Sequence, residues 1–194
     1  MILGITGGTG CGKTTLLDIL RQHGAAVYDC DEIYHRLLAQ DEKMRAALRK
    51  RFPAAFEGET LLRKKLGEIV FADPQALEDL NAITHTAVRQ EVARQLSAKP
   101  PLAAIDAIGL FESGLNQFCD MTIAVTAPTE DRIRRLTQRD GISDAYARSR
   151  ILAQHSLDWF ADRCDYVLEN AGSREAFREK CIDFLSSQGI IISA

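Results

Sequence analysis

Short apolar runs alternate with longer amphipathic stretches along this chain. The runs Ile2–Thr6, Ala25–Asp29, Leu102–Asp106, Met121–Thr126 and Tyr166–Glu169 predict five strands, each bounded by charge, Gly or Pro. Several carry little alternation, as strands covered on both faces do. Strands interleaved with helical patterns predict an α/β fold: a five-stranded parallel sheet flanked by helices.

Two intervals are longer than a crossover helix requires. About seventy residues separate the second and third strands, and they are rich in helix formers. Asp73-Pro74 forms an N-cap and first-turn pair, followed by Leu77, Leu80, Ile83, Ala87 and Val88 at helical spacing. Residues 33–96 are therefore read as a helical insertion standing beside the sheet, closed by Lys99-Pro100-Pro101. A smaller insertion is expected over 140–163. Both belong to a single domain over residues 1–194, without repeats or low-complexity segments.

Composition narrows the class. With 194 residues, 46% hydrophobic and 26% charged, the chain matches an ordinary globular enzyme with one core. A net charge of −3 argues against a broad basic nucleic-acid surface. Five scattered cysteines with no C-x-x-C pair predict reduced thiols. The first strand has no basic segment before it, and no apolar run is long enough for a bilayer, so a cytoplasmic protein without membrane contact is expected. A monomer is expected, with weak self-association left open.

The sharpest motif is Gly7-Gly8-Thr9-Gly10-Cys11-Gly12-Lys13-Thr14, a full G-x-x-x-x-G-K-[ST] between an apolar strand and a helix that begins near Thr15. Its glycines let successive backbone N–H groups converge on one phosphate chain at a helix N-terminus. Gly8, Thr9, Gly10, Cys11, Gly12, Lys13, Thr14 and Thr15 are thus the expected ATP-binding set. Lys13 supplies charge for the outer phosphates, and the Thr14 hydroxyl is placed for Mg²⁺. Cys11, near a helix N-terminus, is expected to have a lowered thiol pKa and to react with thiol reagents unless ATP protects it.

A P-loop is shared by kinases and switch GTPases, and Asp106-Ala107-Ile108-Gly109 matches D-x-x-G. Guanine reading by N-K-x-D is missing, since none of Asn81, Asn116 and Asn170 precedes a Lys. For a kinase, Asp29 and Asp31 at the end of the second strand are candidates to accept a proton from an attacking hydroxyl. The competing reading makes Asp31 a helix cap and Asp29 a solvated loop residue. Arg132, Arg135 and Arg139 share a helix face. Arg132, Arg134 and Arg148 are read as a solvated face. Arg139, at a helix end beside Asp140-Gly141, is read as a candidate for phosphate charge.

Taken in order, these segments resemble the dephospho-CoA kinase family over residues 2 to about 180. The matching stretches are the loop from Gly4 to Thr14, Val27-Tyr28-Asp29-Cys30-Asp31, Leu80-Asn81-Ala82-Ile83-Thr84-His85, Leu110-Phe111-Glu112-Ser113-Gly114-Leu115, Gln138-Arg139-Asp140-Gly141, and Asp165-Tyr166-Val167-Leu168-Glu169-Asn170. The resemblance implies a P-loop kinase that moves the ATP γ-phosphoryl group to the ribose 3′-hydroxyl of dephospho-CoA with Mg²⁺. It implies Asp31 as base, Lys13 and Arg139 at the phosphates, and Asn170 near the adenine. Asp29, Asp31, His85 and Arg89 would face the acceptor, which the long insertion would hold, and 140–163 would be a lid. Asp106 would orient the Mg²⁺ water shell or serve as a buried strand-end acid. The chain departs from the family at Ile108 and Thr86, where Pro is usual, and near Phe160, where a basic residue is common.

Overall fold

The computed structural model describes residues 1–191. Its elements are β1 (Ile2–Thr6), α1 (Lys13–Gln22), β2 (Ala26–Asp29), α2 (Cys30–Gln40), α3 (Glu42–Arg51), β3 (Phe56–Glu57), β4 (Thr60–Leu61), α4 (Arg63–Ala72), α5 (Pro74–Leu96), β5 (Ala103–Asp106), β6 (Met121–Thr126), α6 (Thr129–Asp140), α7 (Asp144–Leu152), α8 (Leu157–Ala161), β7 (Tyr166–Glu169) and α9 (Arg174–Ser187). The five expected strands are all present, two of them one residue shorter at the start, and they form one sheet in the order β2-β5-β1-β6-β7.

β1 lies at the centre because its residues are apolar or small on both faces, with Leu3 and Ile5 fully buried. It pairs in parallel with β5, from Ile2↔Ala103 to Ile5↔Asp106, and with β6, from Leu3↔Met121 to Thr6↔Ala124. This register brings the end of β1 and Asp106 to the same edge of the sheet, the carboxyl edge where open α/β sheets bind ligands. Leu16, Leu17, Ile19 and Leu20 of α1 join Phe177, Cys181 and Leu185 of α9 in one core with Leu3, Ile5, Ile123 and Val125. Ile191 is buried in that core and Ile190 packs against it; Ile192 lies outside the described residues. Ile133 and Leu136 of α6 pack against Ala147 and Ile151 of α7 in a separate small cluster.

The chain divides into two compact units. One contains residues 1–28, 99–111 and 115 onward; the other contains 29–98 with 112–114. The second unit is mainly helical, as its composition predicts, and Asp73 caps α5 by accepting the Gln75 N–H at 2.9 Å with Pro74 in the first turn. It also holds an antiparallel pair, Phe56↔Leu61 and Glu57↔Thr60, absent from the sequence reading. Two-residue strands are too short to show a period. Leu48, Phe52, Ala55, Leu66 and Val70 form this unit's own core.

Phe52 is 2% exposed at the centre of that core. Phe52→Ala is expected to cost about 3–5 kcal/mol, read from the shift in denaturant midpoint; a shift under about 1 kcal/mol would mean the site collapses around the void.

Candidate active site

The loop between β1 and α1 is held in shape by what its carbonyls accept. The Gly7 carbonyl accepts from Lys13 Nζ at 3.0 Å, and the Thr9 carbonyl from Arg132 Nε at 2.9 Å. Arg135 Nη1 donates to the Gly10 and Cys11 carbonyls at 3.2 and 3.4 Å, and Asn170 Nδ2 donates to that of Cys11 at 2.8 Å. The Gly8 and Gly12 carbonyls accept the backbone N–H groups of Cys11 and Thr15. Every carbonyl from Gly7 to Gly12 is thus occupied. The N–H groups of Gly10, Gly12, Lys13 and Thr14 have no protein acceptor among the described residues, and they are the donors that a phosphate chain needs.

Two glycines are required by close approach. A Cβ on Gly7, whose φ is +128°, would lie 2.1 Å from the Val125 carbonyl oxygen, and one on Gly12, at φ +95°, would lie 2.2 Å from Asn170 Nδ2. No side chain fits at either place.

Three cations line this loop. Lys13 Nζ stands 3.9 Å from Asp106 Oδ1 at the end of β5, with both side chains mostly buried. Arg132 was expected in solvent but is 3% exposed, a correction to the solvated-face reading. The cause is its position in the first turn of α6, where the neighbouring loop carbonyl and the Gln154 amide supply the partners a buried guanidinium needs. Arg135 also reaches Asn170, donating to its backbone and side-chain oxygens at 3.2 and 3.1 Å. Arg134 and Arg148 lie in exposed ion pairs, as expected. Arg139 is exposed at the end of α6 and grips Asp140, which also binds Arg150. The two guanidiniums hold the Asp140 carboxyl down at about 2.

Cys11 differs from expectation. Its side chain is fully buried among Leu16, Leu17 and Ala127, and burial raises the thiol pKa despite the opposing charges of Arg132 and Lys13. The helix-terminus argument fails because the thiol points into the core, so Cys11 contributes backbone alone to the loop. All five cysteines are free thiols. Phe160, in the segment where the resemblance leads one to expect a basic residue nearby, is fully buried, beside Trp159 with ring centroids 5.1 Å apart. Trp159 itself stacks on His155 with ring centroids 3.8 Å apart, and the Arg163 guanidinium lies over its ring at 4.2 Å.

The remaining candidates belong to the second unit. Asp29 is the α2 cap: its Oδ1 accepts the N–H groups of Asp31 and Glu32 at 2.9 and 3.0 Å. This reverses the capping alternative considered for Asp31, because the residue ending the strand is the one whose side chain reaches back over the first turn. Asp31 is exposed in that first turn. His85 and Arg89 lie half-buried on one face of α5. Burial pushes the His85 imidazole below its ordinary value, while the charge and a backbone hydrogen bond of Glu112 partly oppose this.

Sequence reasoning missed Arg132, Arg135, Gln154 and Glu112 as parts of these arrangements. Arg132 and Arg135 left one signal, their i, i+3 spacing directly after a strand that borders the loop. Gln154 left none, because its role depends on α7 folding back onto α6.

Thr14 is exposed at the start of α1, and its hydroxyl and the Asp106 carboxylate are hard oxygen donors of the kind Mg²⁺ takes. Among the described residues no cluster of three or more His, Cys, Asp or Glu forms a metal site.

The dephospho-CoA kinase family model matches residues 1–175. The chain belongs to the dephospho-CoA kinase family. A dephospho-CoA kinase of Anaeromyxobacter dehalogenans is 40% identical over 186 residues, covering 92% of this chain and 88% of that one. Another, from Salinibacter ruber, is 39% identical over 184 residues, 92% of each. A crystal structure from Thermus thermophilus superposes with a TM-score of 0.84 at 34% identity, over 100% of this chain and 98% of the other. The Campylobacter jejuni dephospho-CoA kinase gives 0.68 at 26% identity, over 98% of both. A shikimate kinase of Acinetobacter baumannii, at 19% identity and 0.55, shares the fold alone. Among the described residues no helix is long and apolar enough to cross a membrane.

For this dephospho-CoA kinase family member, two outcomes are expected. Iodoacetamide should label Cys11 in the folded protein no faster with ATP absent than with ATP present, as read by mass spectrometry; ATP-dependent protection would mean the thiol leaves the core. For His85, the lowered folded value means that its share of stability is full above pH 6.5, the ordinary value, and is lost as pH falls through the folded one. His85→Gln should flatten the stability profile in that window, as followed by chemical denaturation; an unchanged slope assigns the proton uptake elsewhere.

Proposed function

We propose that the protein transfers the γ-phosphoryl group of ATP to the ribose 3′-hydroxyl of dephospho-CoA, giving CoA and ADP, the last step of CoA biosynthesis. The observation that carries this is the P-loop, with its carbonyls tied and the N–H groups of Gly10, Gly12, Lys13 and Thr14 without a protein acceptor among the described residues, in a chain of this family over nearly its whole length. In the step, the acceptor oxygen bonds to the γ-phosphorus as the bond to the bridging oxygen of ADP breaks, and the hydroxyl proton passes to the Asp31 carboxylate. Asp31 is preferred to Asp29 because the Asp29 oxygen is committed to capping α2. Lys13 neutralises charge on the outer phosphates, and the loop N–H groups hold the chain in line.

Mg²⁺ would be held by the Thr14 hydroxyl and the Asp106 carboxylate, and it would supply charge neutralisation to the phosphates of ATP. Arg139 adds charge at the transferred group, after exchanging Asp140 for phosphate. Asn170, at the end of β7 beside the loop, borders the adenine. Asp29, His85 and Arg89 face the acceptor, the insertion 33–96 holds it, and 140–163 acts as the lid. The enzyme works in the cytosol, as its five free thiols support.

Purified protein with ATP, Mg²⁺ and dephospho-CoA should form CoA, measured directly by chromatography. Asp31→Asn should leave ATP binding intact and lower turnover by roughly 10²–10⁴-fold. Absence of CoA overturns the substrate assignment, and unchanged turnover in Asp31→Asn removes Asp31 from the base role.

A further inference from the structure

We propose that Gln154 is a positioning residue for the phosphate-binding loop, acting as a hydrogen-bond acceptor that fixes the Thr9 peptide. Its Oε1 accepts the Thr9 N–H at 2.8 Å and Arg132 Nη2 at 3.2 Å. Arg132 Nε in turn donates to the Thr9 carbonyl at 2.9 Å. The three residues close a ring in which both polar groups of one loop peptide unit's residue are engaged, the N–H by Gln154 and the C=O by Arg132. The ring lies directly against the loop: a Cβ on Gly8 would stand 2.3 Å from Arg132 Nη2 and 3.0 Å from Gln154 Oε1.

The geometry follows from the α6–α7 pair. Arg132 is in the first turn of α6, and Gln154 lies just past the end of α7, where its N–H is held by the Ile151 carbonyl. Ile133 and Leu136 pack on Ala147 and Ile151, so the two helices carry their polar groups to the loop together. Gly7, Gly8 and Gly10 flank Thr9, and glycine has little conformational preference of its own. A peptide in such a run keeps one orientation only if something outside the run holds it. The Thr9 N–H shares its planar peptide unit with the Gly8 carbonyl, and the Thr9 carbonyl shares the next unit with the Gly10 N–H, one of the loop N–H groups without a protein acceptor among the described residues, so Gln154 and Arg132 fix two successive peptide planes. Arg132 alone cannot do this, because a guanidinium has donors and no acceptor. The Thr9 N–H needs an acceptor, and the amide oxygen of Gln154 supplies it.

The acceptor is the property that matters, so the substitutions separate it from bulk. Gln154→Leu keeps the size and removes the oxygen; Gln154→Glu keeps the oxygen. The proposal rests on the kinase reading only in taking the loop as the ATP site, and ADP binding by calorimetry tests it without an acceptor substrate. Gln154→Leu should weaken ADP roughly tenfold, the consequence of a buried donor left unmet, and the Thr9 amide should lose its hydrogen-exchange protection. Gln154→Glu should retain that protection. In turnover, the KM for ATP should rise in Gln154→Leu with the KM for dephospho-CoA unchanged. Wild-type ADP affinity in Gln154→Leu, or a fall in thermal stability with ADP affinity unchanged, overturns the proposal. If Gln154→Leu does not fold, Gln154→Asn, one methylene shorter, takes its place with the same two outcomes. Failure to form CoA with ADP affinity lowered as expected would count against the acceptor assignment and leave Gln154 in its role.

Discussion

The function of this protein depends on which way one short run of peptide groups faces. A phosphate chain is recognised by N–H groups, and in a planar peptide these are turned towards it when the carbonyl is held facing away. Here the engagement is complete from Gly7 to Gly12. Lys13 takes part as well, donating to Gly7 while standing near Asp106. The shape of the loop is therefore set by contacts from the chain itself.

The groups that impose this order come from far along the chain. Arg132 and Arg135 are on α6, and Asn170 ends β7. The sheet order explains how they meet: β6 and β7 lie on one side of β1, so the chain leaving each at its carboxyl end passes the loop that leaves β1. Buried guanidinium groups are costly without partners, and the carbonyls of a glycine-rich loop supply what they need. The arginines and the loop satisfy each other. The second unit has a separate core around Phe52 and Leu48, so its helices are stabilised by their own packing.

Cysteine and aspartate show how environment decides the role of a residue. Position 11 stands at a helix N-terminus in sequence, where a thiolate would be favoured, yet the side chain turns inward and burial dominates. Asp29 and Asp31 are two residues apart and chemically identical, but the first is spent on the α2 cap and the second is left exposed in the first turn. Phe160 extends the pattern: in this polar segment its ring is fully buried, while neighbouring Trp159 stacks on His155 and takes the Arg163 guanidinium over its ring.

The sequence by itself determined the five strands, the helical character of the insertion, the Asp73-Pro74 start of α5 and the P-loop. These are local: a strand or cap is written in neighbouring residues, and a P-loop must be contiguous to wrap one phosphate chain. The order of motifs also pointed to the family. The hairpin at 56–61 escaped notice because two-residue strands have no period. The burial of Arg132 and Cys11, the capping role of Asp29 over Asp31, the pairing of His85 with Glu112, and the place of Gln154 were decided by tertiary structure alone. Each turns on which distant group a side chain meets and how much water is excluded there, and no spacing along the chain encodes either quantity.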